Sequence, residues 1–198
     1  GTAKYITIEG IKIWAQRLSY VGELGYELYV DFKDAKKMYE LIVNKGKEFN
    51  LSNCGMHAMD IMRMESGFLH WGHDISPEEN QYQAGLSFTI SSKKEDEFIG
   101  KKALEKIKKE KIKSRFAMFT LKDSKPGEPL LLHDEPIYLE NNIIGRSTSG
   151  NYSFNFKKNL AFGYINNDIS NDELHKKDLF IEVEKKKYTI EIIIKPLK

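Results

Sequence analysis

The segment around Glu23 combines residue types that could bind a flat polar ring. A carboxylate stands between two glycines and two tyrosines, in the order Tyr20-Val21-Gly22-Glu23-Leu24-Gly25-Tyr26. A carboxylate accepts hydrogen bonds at both oxygens, so Glu23 could hold two neighbouring N–H donors at once. The glycines would let a ring approach the backbone, and the tyrosines could pack against that ring. Two alternatives stay open: Glu23 is an exposed turn residue, and Tyr20 and Tyr26 are ordinary strand residues.

Two other groups of residues could suggest reactive chemistry but favour a structural interpretation. His70, His73 and Asp74 follow an H-x-x-H-D spacing, but they fall in a loop and have no nearby cysteine to complete a site, so we expect no metal. Cys54 is the single cysteine, which excludes an internal disulfide and favours a cytoplasmic location. Because only His57 stands near it in sequence, we interpret Cys54 as a small buried thiol.

The composition excludes several classes of protein. The 198 residues include 31 lysines and arginines and 29 aspartates and glutamates, and the resulting charge of +2 does not indicate a nucleic-acid binder. No apolar run approaches the ~18 residues that a membrane helix needs, and the N-terminus does not resemble a secretory signal. We therefore expect neither nucleic acid nor membrane as a partner.

The first half of the chain shows an alternation of strand and helix patterns. Residues 4–31 predict strands, including 17–21 and 26–30, with a tight turn between these two. Asp34 is expected to cap a helix that runs to about Lys47 and carries Phe49 on its buried stripe. A second helix is predicted from about Gly55 to Ser66, with Met56, Met59 and Met62 in the core rather than at a cofactor.

The second half is dominated by short strands. Residues 67–85 are expected to be irregular, 86–90 to form a strand, 91–97 to be an interdomain linker, and 100–111 to be a helix with Ala103, Leu104 and Ile107 inward. Further strands are predicted at 116–121, 129–133, 136–139, 143–148, 160–165, 179–183 and 188–194. Strands of this length and spacing indicate a small antiparallel barrel, and the whole chain is assigned to the α+β class.

Six motifs in a fixed order resemble those of one known family. They are Arg17 to Glu27, Gly55 to Gly67, Trp71-Gly72-His73-Asp74, Ala84-Gly85-Leu86, Phe98 to Leu104, and the pair Gly145 to Tyr152 with Leu160 to Ile165. Together they resemble the glycine-cleavage T-protein-like aminomethyltransferases from about residue 5 to 195. The Gly22-Glu23-Leu24-Gly25-Tyr26-Glu27-Leu28 and His70-Trp71-Gly72 segments are similar to the C-terminal parts of sarcosine and dimethylglycine dehydrogenases. Met59 replaces an arginine that the glycine-cleavage enzyme carries, which disfavours that enzyme itself.

The resemblance implies a fold, a cofactor and a set of site residues. Residues 1–91 would be the C-terminal half of the aminomethyltransferase folate-binding domain, with antiparallel strands and two helices, and 92–198 the C-terminal β-barrel. The cofactor would be tetrahydrofolate, whose pterin N–H and amino group would bind Glu23. The cofactor-binding residues implied by the resemblance and by the chemistry of the side chains are Glu23, Tyr20, Tyr26, Arg63, Trp71 and Arg146.

Three of these residues have alternative interpretations. Arg63 could hold the carboxylates of the folate tail, but Asp60, three residues earlier, offers a helix-surface ion pair. Trp71 could cover a folate cleft or complete the core. Arg146, in a glycine-flanked hairpin, is a second candidate for contact with an anion.

The activity implied is one-carbon transfer to tetrahydrofolate, as part or subunit of a dehydrogenase-like or T-protein-like enzyme. The catalytic aspartate of the family belongs to an N-terminal half outside this chain, so no catalytic residue is assigned. No G-x-G-x-x-G flavin fingerprint is present. The partners expected are folate, a flavin-containing subunit or the missing half, and further copies of the chain, since a half-domain should expose an apolar face. A non-catalytic folate-binding or regulatory module, and methyl transfer from a sulfonium substrate, remain as alternatives.

Overall fold

The computed structural model describes residues 1–91 and 97–198. The chain divides into two compact units, Gly1–Ser66 and Gly67–Lys198. This division lies ahead of the domain boundary predicted between residues 91 and 92, which stays a prediction. Residues 92–96 of the predicted linker lie outside the described part of the chain.

The first unit contains a three-stranded antiparallel sheet in the order β1-β2-β3. Its strands are β1 (Ala3–Ile8), β2 (Ile11–Gln16) and β3 (Glu27–Val30). The strand predicted over residues 17–21 is wrong, because this segment is irregular. The Ser19 hydroxyl accepts the Val21 N–H at 3.2 Å, and such a local bond competes with pairing to a neighbouring strand.

Helix α1 (Phe32–Gly46) covers part of this sheet. It begins after Asp31, so the prediction of Asp34 as its cap is wrong; Asp34 lies in the first turn. Met38 is buried, and Leu41 and Ile42 pack with it against the sheet, as the periodicity predicts. Phe49 does not join them and is 81% exposed. It lies in a 3-10 turn over Lys47–Phe49, whose tighter winding rotates the residue off the buried stripe.

Helix α2 (Met56–Glu65) matches the predicted second helix within one residue at each end. Its buried apolar residues are Ile61 and Met64, whereas Met59 and Met62 are half-buried. Met56 is 67% exposed, so its prediction as a core residue is wrong. Cys54, just before the helix, is exposed rather than buried.

The second unit begins with the irregular segment predicted over residues 67–85. The strand predicted at 86–90 is wrong: Ser87–Thr89 form a 3-10 turn, and the Thr89 hydroxyl donates to the Leu86 carbonyl at 2.7 Å. Helix α3 (Lys101–Lys109) is present, with Leu104 and Ile107 half-buried. Ala103 is exposed, contrary to the prediction.

The rest of the second unit is a closed antiparallel barrel in the order β4-β7-β6-β5-β8-β9. This architecture confirms the predicted α+β class with a small β-barrel. The strands are β4 (Ser114–Leu121), β5 (Pro136–Leu139), β6 (Asn142–Ser153), β7 (Lys158–Asn166), β8 (Leu179–Val183) and β9 (Lys186–Ile193). Phe119, Ile137 and Ile181 are among the fully buried residues of its core.

Two local features of the barrel differ from the prediction. Residues 129–133 are irregular rather than a strand, and the Leu132 N–H is taken by the Glu135 carboxylate at 2.7 Å instead of by a neighbouring strand. Helix α4 (Asn171–Lys176) was not predicted. Its signal is Ser170 three residues before Glu173, because the Ser170 hydroxyl accepts the Glu173 N–H at 3.1 Å.

Candidate functional site

One face of the β1–β3 sheet is divided into a covered half and an open half. Alternate residues of a strand point to the same face, and the strand register aligns Ile6 with Ile13 and Ile13 with Val30. This row packs against α1. The next row on the same face aligns Lys4 with Ala15 and Leu28. Beyond it, the Arg17 N–H donates to the Thr2 carbonyl at 2.7 Å.

The open half forms a groove of about 300 Å³. It is lined by Thr2, Lys4, Ile6, Ala15, Arg17, Tyr26 and Leu28. An apolar floor with a few polar groups at its edge is typical of small-molecule sites, and this volume lies at the small end of their range of roughly 300–1,000 Å³. The groove, called here the sheet groove, is therefore a candidate ligand site.

The turn that carries Glu23 lies at the end of the sheet groove. Arg17 and Tyr26 line the groove, and the chain between them connects β2 to β3. Within this turn Glu23 and Leu24 are exposed, and Gly22 has a φ of +71°, which favours glycine. The two ends of the turn thus line the groove, whereas Glu23 itself is exposed between them and is not one of the lining residues.

Two serine hydroxyls hold the peptide groups just before Glu23. Ser19 Oγ accepts the Val21 N–H at 3.2 Å, and Ser66 Oγ lies 3.2 Å from both the Val21 and the Met62 carbonyl oxygens, to which it can donate. Ser66 follows α2, so one contact joins the end of this helix to the turn. The backbone of Val21 is thus fixed on both sides.

The aromatic and glycine residues of the turn have distinct environments. Tyr26 is 61% exposed and lines the sheet groove, whereas Tyr20 is half-buried. A Cβ atom on Gly25 would lie 3.2 Å from the Leu18 carbonyl oxygen and from Ser19 Cβ. Gly25 is therefore needed for close packing inside the turn itself, in addition to any room it leaves for a ligand.

The side chain of Arg63 is buried and paired with Asp60. Its side chain is 1% exposed, and its Nη2 lies 2.8 Å from Asp60 Oδ1, to which Nε also donates at 2.9 Å. This is the i, i+3 ion pair that the spacing allows. The guanidinium is therefore paired within α2, and direct contact with a ligand would require it to be uncovered.

The predicted residues Trp71 and Arg146 belong to the second unit. Trp71 is 65% exposed, and its neighbours Gly72 and His73 line a cleft of about 370 Å³ that also contains Arg146. An adjoining cleft of about 530 Å³ is lined by Arg146 and Tyr164 as well. Burial raises the pKa of Tyr164, so this phenol stays protonated at neutral pH.

Arg146 is paired with Asp134, a residue without a predicted role. The Arg146 guanidinium donates to the Asp134 carboxylate, whose other oxygen lies 2.9 Å from His133 Nδ1. The hydrogen bond with His133 and then that with Arg146 hold the pKa of Asp134 below its usual value. No sequence spacing indicated this pair, because Asp134 precedes β5 and Arg146 lies 12 residues later, on β6.

Asp74 is a buried residue that anchors the 67–85 segment. Its Oδ1 accepts hydrogen bonds from the Thr148 hydroxyl at 2.5 Å and the Ser149 hydroxyl at 2.8 Å, and its Oδ2 accepts the His70 N–H at 2.9 Å. These bonds attach the 67–85 segment to the barrel. Among residues 1–91 and 97–198, no group of three or more His, Cys, Asp or Glu side chains is placed to hold a metal ion.

Two family models cover most of the chain. The GCVT N-terminal domain matches residues 1–94, and the glycine cleavage T-protein C-terminal barrel domain matches residues 115–198. The chain belongs to the glycine cleavage T-protein family. Within this family, the chain is 35% identical over 195 residues to the rat mitochondrial dimethylglycine dehydrogenase, covering 98% of the chain and 22% of that protein.

Other members of the T-protein family are similar over most of the chain. Human mitochondrial sarcosine dehydrogenase is 32% identical over 83% of the chain and 17% of its own length. The aminomethyltransferase of Symbiobacterium thermophilum is 32% identical over 82% of the chain and 43% of its own length. The chain therefore spans less than half of these relatives.

A solved T-protein structure shares the fold. The glycine cleavage system aminomethyltransferase T from Bartonella henselae has a TM-score of 0.79 and 23% identity, covering 94% of the chain and 50% of that structure.

Among residues 1–91 and 97–198 of this chain, no helix is long and apolar enough to cross a membrane. The first unit thus brings Tyr20, Glu23 and Tyr26 together on one turn, with the side chain of Arg63 buried in α2, and the second unit carries Trp71 and Arg146.

Proposed function

We propose that the chain is the folate-binding part or subunit of an enzyme that transfers an aminomethyl or methylene unit to tetrahydrofolate, of the sarcosine/dimethylglycine dehydrogenase or T-protein kind. The observation that carries the proposal is that the turn containing Glu23 joins Arg17 to Tyr26, and both of these residues line the sheet groove. The names of the relatives support the same reaction class, because they are dimethylglycine and sarcosine dehydrogenases and aminomethyltransferases.

The groups around the sheet groove fit the cofactor. A pterin carries an N–H and an amino group on one edge, and the Glu23 carboxylate can accept both hydrogen bonds. The apolar floor and the ring of Tyr26 offer surfaces against which a flat ring can pack. Ser19 and Ser66 hydrogen-bond to the backbone of Val21, two residues before Glu23, and so limit the freedom of the turn that carries the carboxylate.

Tetrahydrofolate, when bound, supplies amine nitrogens that take up a carbon at the oxidation level of formaldehyde. The contribution of this chain is to bind the pterin edge at Glu23, to orient the ring along the groove, and to exclude water from the apolar floor. The remaining groups that the reaction needs, including a flavin site for amine oxidation, would come from another part of the protein or from a partner subunit. We also propose a reducing, cytoplasm-like compartment, since Cys54 is a free thiol.

A non-catalytic folate-binding module is the second candidate function. It is favoured by one observation, namely that no carboxylate or histidine is among the residues that line the sheet groove. Such a groove can bind and position a ligand without a general acid or base of its own.

Two measurements on the purified chain separate these possibilities. Retention of tetrahydrofolate is measured first by equilibrium dialysis. The chain is then incubated with an aminomethyl donor and tetrahydrofolate, alone and with a flavin-containing partner, and methylene-tetrahydrofolate is measured by chromatography. Binding with partner-dependent transfer supports the enzyme, binding without any transfer supports the non-catalytic module, and absence of binding contradicts both.

A further inference from the structure

Positive charge is concentrated in one short segment of the second unit. Residues 101–115 contain seven lysines and one arginine but only two glutamates, which gives them a net charge of +6. Because the whole chain carries +2, the rest of it carries −4. The average over the chain therefore conceals a basic segment, and most of this segment is helix α3.

Helix α3 has an apolar side and a basic side. Leu104 and Ile107 lie on one side and are half-buried. Lys102, Lys106 and Lys109 follow the spacing i, i+4 and i+7, which places them in one row on the other side. These three lysines, called here the lysine stripe, are all exposed. The basic side of the helix therefore faces solvent.

The lysine stripe is not explained by the stability of α3. Lys109, in the last turn, interacts favourably with the helix dipole, but Lys102, in the first turn, opposes it. Lys106 follows Lys102 by four residues and precedes Lys109 by three, and like charges repel at both spacings. Lys106 has an ion pair with Glu110 at 3.9 Å, whereas Lys102 and Lys109 form none with residues 1–91 or 97–198. Because unpaired lysines are almost never buried, the stripe is a surface open to a partner.

The side-chain types of the basic segment favour an anionic lipid surface over a nucleic acid. Proteins read nucleic acids with arginine forks and stacked aromatic rings, and residues 101–113 contain neither arginine nor an aromatic residue. The Arg115 guanidinium is already engaged, because its Nη2 donates to the Ile169 carbonyl at 3.2 Å and to Asn171 Oδ1 at 2.8 Å. Lysines act as point charges that need no fixed geometry, and a cluster of about four to eight on an amphipathic helix is typical of proteins that bind acidic lipid headgroups.

An exposed apolar residue stands beside the basic helix. Ile99 precedes the first residue of α3 by two positions and is fully exposed. An apolar side chain next to a row of lysines can enter the boundary between headgroups and acyl chains while the lysines contact the headgroups. The expectation of no membrane partner rests on the lack of a long apolar run, and adsorption through surface charge requires no such run.

We propose that the lysine stripe and Ile99 hold the chain reversibly on a membrane surface that contains anionic lipids. The lysines supply an attraction that weakens as salt screens the charges, and Ile99 supplies a small apolar contact. This inference goes beyond the proposed function and does not depend on it, because no residue of the lysine stripe lines the sheet groove.

The experiment measures co-sedimentation of the whole chain with lipid vesicles at low and at physiological salt. One set of vesicles contains phosphatidylcholine alone, and the other contains phosphatidylcholine mixed with phosphatidylserine. Binding to a DNA duplex is measured separately by fluorescence anisotropy, so that a nucleic-acid partner is distinguished from a lipid surface.

Two triple variants and one single variant test the surface. Each triple variant replaces three exposed lysines, in one case those of the lysine stripe and in the other case those of α1, so that both have the same net charge. The single variant, Ile99→Ser, keeps every charge, and circular dichroism checks that all the variants are folded. The triple variants are Lys102→Gln/Lys106→Gln/Lys109→Gln and the matched control Lys33→Gln/Lys36→Gln/Lys37→Gln.

The wild type is expected to bind vesicles that contain phosphatidylserine, more tightly at low salt, and not to bind phosphatidylcholine alone. The stripe variant should bind about 100-fold more weakly, at about fivefold per lysine, whereas the control should stay within about twofold of the wild type. Ile99→Ser should weaken binding by less than the stripe variant does. Absence of phosphatidylserine-dependent binding by the wild type, or equal weakening in the two triple variants, overturns the proposal. Binding to the DNA duplex without binding to vesicles also overturns it and identifies a nucleic-acid partner.

Discussion

The Ser66 hydroxyl lies 3.2 Å from the Val21 carbonyl oxygen, across 45 residues of sequence. This contact joins the end of α2 to the turn that carries Glu23. Ser66 Oγ lies at the same distance from the Met62 carbonyl inside the helix, so the hydroxyl can donate to either acceptor. The orientation of the Glu23 turn is therefore linked to the last turn of a helix that contains the enclosed Arg63–Asp60 ion pair.

Replacing Ser66 tests whether this contact orients the turn. We expect Ser66→Ala to lower the free energy of unfolding by about 1 kcal/mol, because one part-buried hydrogen bond is lost, and to weaken binding of 5-formyl-tetrahydrofolate about fivefold. Calorimetry and chemical denaturation measure the two effects. Ser66→Thr, which keeps the hydroxyl, should restore affinity, and Ser52→Ala is the control at an exposed serine. Equal folate affinity in Ser66→Ala and the wild type would show that the contact does not orient Glu23.

Replacing Asp74 tests its role as the anchor of the 67–85 segment. Asp74→Asn should lower the free energy of unfolding of the second unit by roughly 2–3 kcal/mol, because the amide cannot accept all the bonds from Thr148, Ser149 and His70. Thermal unfolding measures the loss, with Asp168→Asn as an exposed control. A double-mutant cycle with Thr148→Val should give a non-zero coupling energy, and strict additivity would argue against the anchor.

The pH dependence of the barrel should reflect Asp134. The pKa of its carboxyl group is held below the usual value by His133 and then by Arg146. A carboxyl group whose pKa is lowered on folding adds stability above its unfolded pKa of about 3.9 and loses this contribution as the pH falls through the lower folded-state value. Asp134→Asn should therefore cost less than about 1 kcal/mol at neutral pH, since the pair is exposed, and nothing at pH values below the folded-state pKa.

An NMR titration of the Asp134 carboxyl measures the same effect directly. In Arg146→Gln the pKa of Asp134 should rise toward its usual value, because one of its hydrogen-bond donors is removed. Asn tolerates the left-handed backbone of Asp134, whose φ is +63°, so Asp134→Asn introduces little strain. Asp123→Asn serves as an exposed control. An unchanged Asp134 titration in Arg146→Gln would remove the ion pair as a cause.

Self-association of the chain is expected from its exposed apolar residues. In the first unit Phe32 is 97% and Phe49 is 81% exposed. Exposed apolar surface of this kind favours association. Light scattering should give a mass that rises with concentration, and Phe32→Ser together with Phe49→Ser should reduce it at little cost in stability. A strictly monomeric wild-type chain would contradict this expectation.

The sequence predicted elements well wherever side-chain periodicity decides the structure. The barrel strands around Phe119, Ile137 and Ile181 follow the period of two, and α1 and α2 follow the helical period. The predictions failed where a local hydrogen bond decides the backbone. Ser19 accepts the Val21 N–H in the segment 17–21, and Glu135 accepts the Leu132 N–H in the segment 129–133; such local bonds compete with strand pairing.

The candidate site was predictable only in part. The Glu23 turn stands out in sequence because its glycines and tyrosines are adjacent to the carboxylate. Lys4 and Arg17 could have been found by alternation, since they lie on the same face as Ile6, Ala15 and Leu28 once the register is known. The contact between Ser66 and Val21 and the pairing of Arg146 with Asp134 join residues distant in sequence, so no local pattern indicates them.

The most direct test of the central claim is the affinity of the whole chain for 5-formyl-tetrahydrofolate, measured by calorimetry for the wild type and for Glu23→Gln. Glu9→Gln is the matched control, because Glu9 lies in the hairpin at the other end of the sheet. The account predicts that Glu23→Gln weakens binding about 30-fold, since it removes a charge and one of two acceptors, while Glu9→Gln binds like the wild type. Equal affinity in all three proteins, or no binding to the wild-type chain, would contradict the assignment of Glu23 as the pterin-binding carboxylate.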